Sequence, residues 1–216
     1  MTIRTAGLIG DVHAEDTSLE ATIDFLSTLG LDVLLCTGDI VDGPADANRC
    51  ANLLIDAGVH CVRGNHDRWL LEGSMRDVSE ATDPSTVSTV LRDYLQSLPV
   101  TYAFDATIGG TVLVCHGVGV NDMRRLTPDD YGYALTVNDD LQDLIADGRY
   151  DVMIGGHTHR SMVKRYGGLT VINPGTLLRR HEPGFAVADF GERTVQFYTF
   201  DTSGSIQPDN VFSMSA

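Results

Sequence analysis

The chain is short of basic residues: 15 lysines and arginines stand against 30 aspartates and glutamates, a formal net charge of −15 over 216 residues. A surface this acidic repels phosphate backbones and excludes a general nucleic-acid binder. Paired CxxC spacings are also missing. The four cysteines, Cys36, Cys50, Cys61 and Cys115, are scattered singly, three of them in apolar runs. This pattern argues against a structural zinc site. It points instead to buried free thiols in a reducing, cytoplasmic setting. No apolar run reaches the ~20 residues of a membrane span, so no membrane partner is expected. Nor is a signal peptide expected, because the chain runs from Ile3 straight into Gly10-Asp11. Internal repeats, low-complexity tracts and interdomain linkers are absent. What is present, with 43% hydrophobic residues, fits one globular domain over residues 1–216.

Hydrophobic periodicity divides the chain into alternating elements. Residues 3–9 read as a strand. The next segment reads as a helix, opened by a Thr17–Glu20 capping box and stopped by Gly30. Its apolar face is Leu19, Ile23, Phe25, Leu26 and Leu29. Residues 33–37 form a second strand, and Pro44 suits the first turn of a helix reaching about Ala57. Strands follow at 60–63, 111–115 and 151–154, the last preceded by a helix near 137–146. The runs SMVKRY, LTVIN, FAVADF and VQFYTF then read as a meander. Alternation followed by a meander predicts an α/β fold with mixed sheets. Residues 68–90, which include Trp69, Leu70 and Leu71, read either as a lid or insertion or as an ordinary surface helix.

The polar residues sit at informative places. GDVH, GDIVDG, GNHD, CHG and GGHTH each come directly after an expected strand. Open α/β sheets build their sites at the carboxyl ends of strands, so five strand ends are able to pool their side chains. Taken singly, each block has an ordinary reading. Gly-Asp is a common turn, Asn65 suits a left-handed turn, and His157-Thr158-His159 suits a surface loop. Pooled, Asp11, His13, Asp39, Asn65, His116, His157 and His159 make a mixed oxygen and nitrogen donor set. Such a set suits first-row transition metals better than calcium.

Seven donors exceed what one tetrahedral ion needs and suit two divalent ions about 3.5–4 Å apart with a shared carboxylate. Such a pair lowers the pKa of bound water from 15.7 to about 7, on the order of 12 kcal/mol toward hydroxide. Four positive charges against the two of Asp11 and Asp39 leave the site cationic inside an acidic protein, which suits a phosphate ester. Manganese is the first expectation, and iron, zinc and nickel accept the same donors.

These five blocks, in this order over residues 10–159, resemble the signature blocks of the calcineurin-like metallophosphoesterases. INPGT at 172–176 resembles a further mark of their small prokaryotic phosphodiesterase-like subgroup. The resemblance implies a four-layer α-β-β-α sandwich with two mixed sheets. It implies that Asp11, His13, Asp39 and His159 hold one ion, and that Asp39, Asn65, His116 and His157 hold the other. His66 would act on the phosphoryl group or protonate the leaving oxygen, and Asp67 would orient His66. The reaction implied is attack of a bridging hydroxide on a small phosphodiester or phosphomonoester, with the diester favoured. The other function open to this fold is a scaffold whose site has decayed. One departure bears on substrate choice: Val118 stands where related small members often carry a second histidine.

Other residues have lesser expected roles. Asp42 is expected to hold a loop or a histidine from outside the donor set. Arg68, Arg124, Arg125, Arg160, Arg179 and Arg180 are candidates for contacting substrate. His60 and His181 match no block, and Asp139, Asp140 and Asp143 read as a solvated helix start. Monomer and homodimer both remain open.

Overall fold

A computed structural model describes residues 2–107 and 110–215. Among these residues, eleven strands form two mixed sheets. The first has six strands: β1 (Thr5–Ile9), β2 (Val33–Cys36), β3 (His60–Cys61), β9 (Gly184–Asp189), β10 (Thr194–Phe200) and β11 (Ile206–Ser213). They run in the order β11-β10-β9-β1-β2-β3. The second has five: β4 (Thr101–Ala106), β5 (Gly110–Cys115), β6 (Val152–Ile154), β7 (Met162–Tyr166) and β8 (Leu169–Asn173). Its order is β4-β5-β6-β8-β7. β1, β2 and β3 are parallel, as are β5, β6 and β8. Every strand that feeds a polar block is therefore in a parallel ladder.

The period-2 alternation of the strands builds three apolar layers. On β1, Ala6 and Leu8 face the gap between the sheets, while Ile9 faces outward. On β5, Val112 and Val114 join the inter-sheet layer, and Leu113 and Cys115 face the other side. Helices α1 (Asp16–Ser27), α2 (Ala47–Asp56) and α4 (Thr89–Ser97) cover the first sheet. Helix α6 (Asp139–Asp147) covers the second through Leu141 and Leu144. The result is the α-β-β-α sandwich. Burial sets the approach of α1: a Cβ on Gly7 would lie 2.7 Å from Leu34 Cδ2 and 2.9 Å from Leu26 Cδ1. Fully burying Leu19 and Leu26 contributes roughly 1.5–3 kcal/mol each to this contact.

Several local expectations are corrected. The Thr17–Glu20 capping box does not form. Glu15 is the N-cap of α1, and its carboxylate is drawn away to the Arg179 backbone and guanidinium at 2.9 and 2.6 Å. Leu29 lies beyond the helix and is exposed. Pro44 precedes α2 instead of opening it, because Asp46 caps that helix by accepting from Asn48 and Arg49 N–H. The closing strands are not one meander: β7 and β8 pair in the second sheet, and β9–β11 in the first. β4, β11, and α3 (Asn65–Glu72) were not expected from periodicity. All four cysteines are buried and free. No helix among the described residues is long and apolar enough to cross a membrane.

Candidate metal centre

The five strand ends do meet. Asp11, His13, Asp39 and His159 bring one donor atom each within 4.8 Å of one another. His13 Nε2 and His159 Nε2 are 2.9 Å apart. His159 Nε2 is 3.2 Å from Asp11 Oδ2, and His13 Nε2 is 3.7 Å from Asp39 Oδ2. Donors about 2.0–2.2 Å from one ion lie roughly 3–4 Å from each other, so these separations fit a shared cation. Asp11 Oδ2 is buried and accepts no hydrogen bond, a costly orphan unless a cation takes its lone pairs.

A second group adjoins the first. Asn65 Oδ1 is 2.9 Å from His116 Nε2 and 2.8 Å from His157 Nδ1. His116 Nε2 is 3.3 Å from Asp39 Oδ2, the same oxygen that faces His13. One carboxylate oxygen thus lies between the two groups. The far ring nitrogens fix the tautomers: His13 Nδ1 donates to the Asp42 carbonyl and His116 Nδ1 to the Thr37 carbonyl, both at 2.8 Å. In the neutral rings, the form a metal ion requires, both Nε2 atoms then turn a lone pair to the cluster, the usual outer support of a metal-binding imidazole.

The electrostatics follow from this crowding. Burial disfavours an imidazolium at His116, but Asp39 and then Asp11 outweigh it and push its pKa up to about 10. Burial likewise opposes ionisation of Asp39, yet His116 and His13 hold it well below the usual carboxylate range. The site therefore demands positive charge beside Asp39. At His13 and His157, burial prevails and lowers the pKa.

The backbone is bent for the purpose. His13, Asp39, His157 and His159 all have φ between 48° and 65°, as do Ala14 and Asp42. Non-glycine residues seldom adopt this left-handed region, and such strain clusters at functional sites. Two glycines admit the carboxylates: a Cβ on Gly64 would meet Asp39 Oδ1 at 2.2 Å, and one on Gly156 would meet Asp11 Oδ1 at 2.1 Å. INPGT stitches the blocks together. Asn173 donates to the Gly156 carbonyl at 2.8 Å, and Thr176 Oγ1 donates to the Asp11 carbonyl at 2.8 Å.

His66 stands beside the centre, its ring 5.0 Å from that of His13 and 4.7 Å from Trp69. The expectation that Asp67 orients it is corrected. Asp67 is the third residue of α3 and folds back onto backbone, accepting from Gly64, Ile40 and Val41 N–H. Side chains at i and i+1 of a helix diverge, so Asp67 welds GNHD to GDIVDG instead. Burial, and then the charge of Asp39, raise its own pKa to about 6. Asp42 is the partner: its Oδ2 accepts from His66 Nδ1 at 2.8 Å. Against the cost of burial, that bond and the nearby carboxylates raise the pKa of His66. Asp42 is gripped in turn by Arg76 at 2.9 and 2.7 Å and by Thr82 N–H at 2.9 Å. Sequence reasoning missed Arg76 and Thr82, because they lie in the 68–90 stretch that matches no block.

Most candidate arginines are engaged elsewhere. Arg68 pairs with Asp122, Arg124 with Asp140, Arg160 with Asp129, Arg179 with Glu15 and Arg180 with Glu80. Of the two histidines outside the blocks, His60 stacks on Tyr102, but His181 packs edge-on against His159 at 4.8 Å.

The chain belongs to the calcineurin-like phosphoesterase superfamily, whose domain model matches residues 5–193. It resembles a metallophosphoesterase from Sphaerobacter thermophilus, with 22% identity, 93% of this chain and 89% of that one covered, and a TM-score of 0.68. It also resembles the phosphoesterase Yfce from E. coli, with 16% identity, 97% and 99% coverage, and a TM-score of 0.58. An uncharacterized protein of Methanocaldococcus jannaschii is 34% identical over 64 residues, 30% of this chain. The chain spans only 26% of that relative's length. Divalent metal binding is the property of this superfamily that the donor set fits.

Proposed function

We propose that this protein is a dinuclear metal-dependent phosphoesterase acting on a small phosphodiester, or else on a phosphomonoester. The observation that carries the reading is the intact donor set beside an Asp42-held His66. A decayed scaffold has no reason to keep Asp11 Oδ2 buried and unpartnered or six left-handed residues in its loops.

Asp11, His13, Asp39 and His159 would hold one divalent ion, and Asp39, Asn65, His116 and His157 the other, manganese being the first choice. Bound there, the ions supply Lewis acidity, which draws charge from a phosphoryl oxygen and acidifies water. The chain does the rest. Asp42 fixes the His66 ring through Nδ1 and favours its protonated form, so Nε2 is the nitrogen that donates to the leaving oxygen. Trp69 packs against the same ring and limits its rotation. Substrate is the only partner proposed, with neither nucleic acid nor membrane. The free, buried thiols support a cytoplasmic setting.

The test is turnover of bis(4-nitrophenyl) phosphate and 4-nitrophenyl phosphate by purified protein loaded with manganese. Hydrolysis of the diester in preference to the monoester is expected. No turnover on either, with bound metal confirmed, would sink the idea. His66→Asn should lose on the order of 10²–10⁴ in kcat while retaining its metals; unchanged turnover would remove His66 from the mechanism.

A further inference from the structure

The segment that follows His116 encloses an open cleft of about 640 Å3, within the roughly 300–1,000 Å3 of small-ligand sites. Its wall is the segment between β5 and α6, which begins at the metal-facing His116-Gly117. That segment is fastened to the other site blocks. Arg68, two residues past His66, holds Asp122 at 2.6 and 3.0 Å. Thr158, between the two site histidines, donates to the Leu126 carbonyl at 3.4 Å.

The charges around the cleft nearly cancel. Asp122 is taken by Arg68 and Asp140 by Arg124. Asp130 Oδ2 accepts from Thr127 N–H at 2.7 Å, with Lys164 Nζ on the neighbouring carbonyls of Pro128 and Asp130. Arg125, which lines the cleft, forms no ion pair among the described residues. It directly precedes Leu126, whose carbonyl is held by Thr158, the neighbour of His157. Met123, Ala134 and Val137 supply apolar wall. Tyr131 and Tyr133, 81% and 80% exposed, stand on the same segment, where an aryl group is able to stack.

We infer that this cleft is the subsite for the non-reacting part of the substrate, and that Arg125 binds a second anionic group carried by the ester. The substrate class is thus an organic phosphoester with a second phosphate beyond the scissile one and an aromatic, nucleoside-sized body. The inference rests on the phosphoesterase reading. It goes further by assigning a guanidinium fork, which suits a phosphate through paired charged hydrogen bonds, to specificity.

The dinucleotides pApA and ApA, which differ by one terminal phosphate, test it in the manganese-loaded protein. Wild type should favour pApA by about tenfold or more in kcat/KM, the scale of one charged hydrogen-bonded contact. Arg125→Ala should collapse that ratio toward one through KM, and Arg125→Lys should restore part of it. A binding readout runs in parallel: calorimetry should show wild type preferring adenosine 3′,5′-bisphosphate to AMP, and Arg125→Ala losing the preference. Equal treatment of the paired ligands by wild type overturns the subsite. A preference that survives in Arg125→Ala overturns the assignment of Arg125. Failure to hydrolyse bis(4-nitrophenyl) phosphate overturns the catalytic reading instead, and the calorimetric comparison still decides the subsite.

Discussion

The two donor groups share Asp39 and otherwise differ in charge. Around Asp11 the donors are two carboxylates and two imidazoles. Around Asn65 they are the shared carboxylate, a neutral amide and two imidazoles. A carboxylate attracts a divalent cation as a full charge, an amide only as a dipole. On the dinuclear reading proposed above, the Asp11 group should hold its ion tightly and the Asn65 group should exchange its ion more readily.

The largest effect belongs to the shared residue. Asp39→Asn should empty both groups, because its oxygen lies 3.3 Å from His116 Nε2 and 3.7 Å from His13 Nε2. Metal analysis after dialysis should find fewer than one tight ion per chain. Two tight ions in that variant would mean that Asp39 does not bridge.

Single-group substitutions sharpen the comparison. Asp11→Asn should weaken one ion by ~100-fold or more, at least the upper range for losing an outer-sphere partner, and leave the other bound. Asn65→Ala should weaken only the second group, by about tenfold. Competition with a chromophoric chelator measures both. A larger loss from Asn65→Ala would reverse the proposed order of affinities.

The next effect leaves the metals alone. Asp42→Asn removes the carboxylate charge that holds His66 protonated but keeps the backbone carbonyl that orients His13. Turnover should fall about 10–100-fold with metal content intact, and Arg76→Ala should follow more weakly. Alkyl esters should suffer more than 4-nitrophenyl esters, whose leaving group needs little protonation. Equal losses on both would make Asp42 a merely structural residue.

The sequence carried the donor set because each donor lies in a short glycine-containing block after a strand end, a local feature that short motifs preserve. The layers were legible for the same reason, since alternation along β1 and β5 needs no tertiary knowledge. What hid was long-range. Asp67 and Asp42 look equivalent in GNHD and GDIVDG, and only the helix geometry of α3 turns one toward backbone while the other reaches His66. Arg76 has no signal at all, because its role depends on a loop returning 34 residues later to a buried carboxylate. The Thr17–Glu20 box failed because Glu15, two residues earlier, takes the N-cap position while its carboxylate serves Arg179.

The smallest effect separates His116 from His13 by sign in the metal-free chain. His116, in the Asn65 group, has its folded-state pKa pushed up to about 10 by Asp39 and Asp11 against burial. Between about 6.5, the unfolded value, and about 10, the folded state holds a proton that the unfolded state has lost. The stability it contributes is full below 6.5 and fades as pH climbs through that window. His13, in the Asp11 group, has its pKa lowered, chiefly by burial. The unfolded chain therefore takes up a proton first as pH falls through 6.5, and stability is lost on the acid side. Melting temperatures of chelator-treated protein should decline along both limbs, by roughly 2–4 °C for each kcal/mol lost. His116→Gln should flatten only the alkaline limb and His13→Gln only the acid one. If either variant flattens both limbs, the two histidines do not titrate apart, and the contrast in sign between them fails.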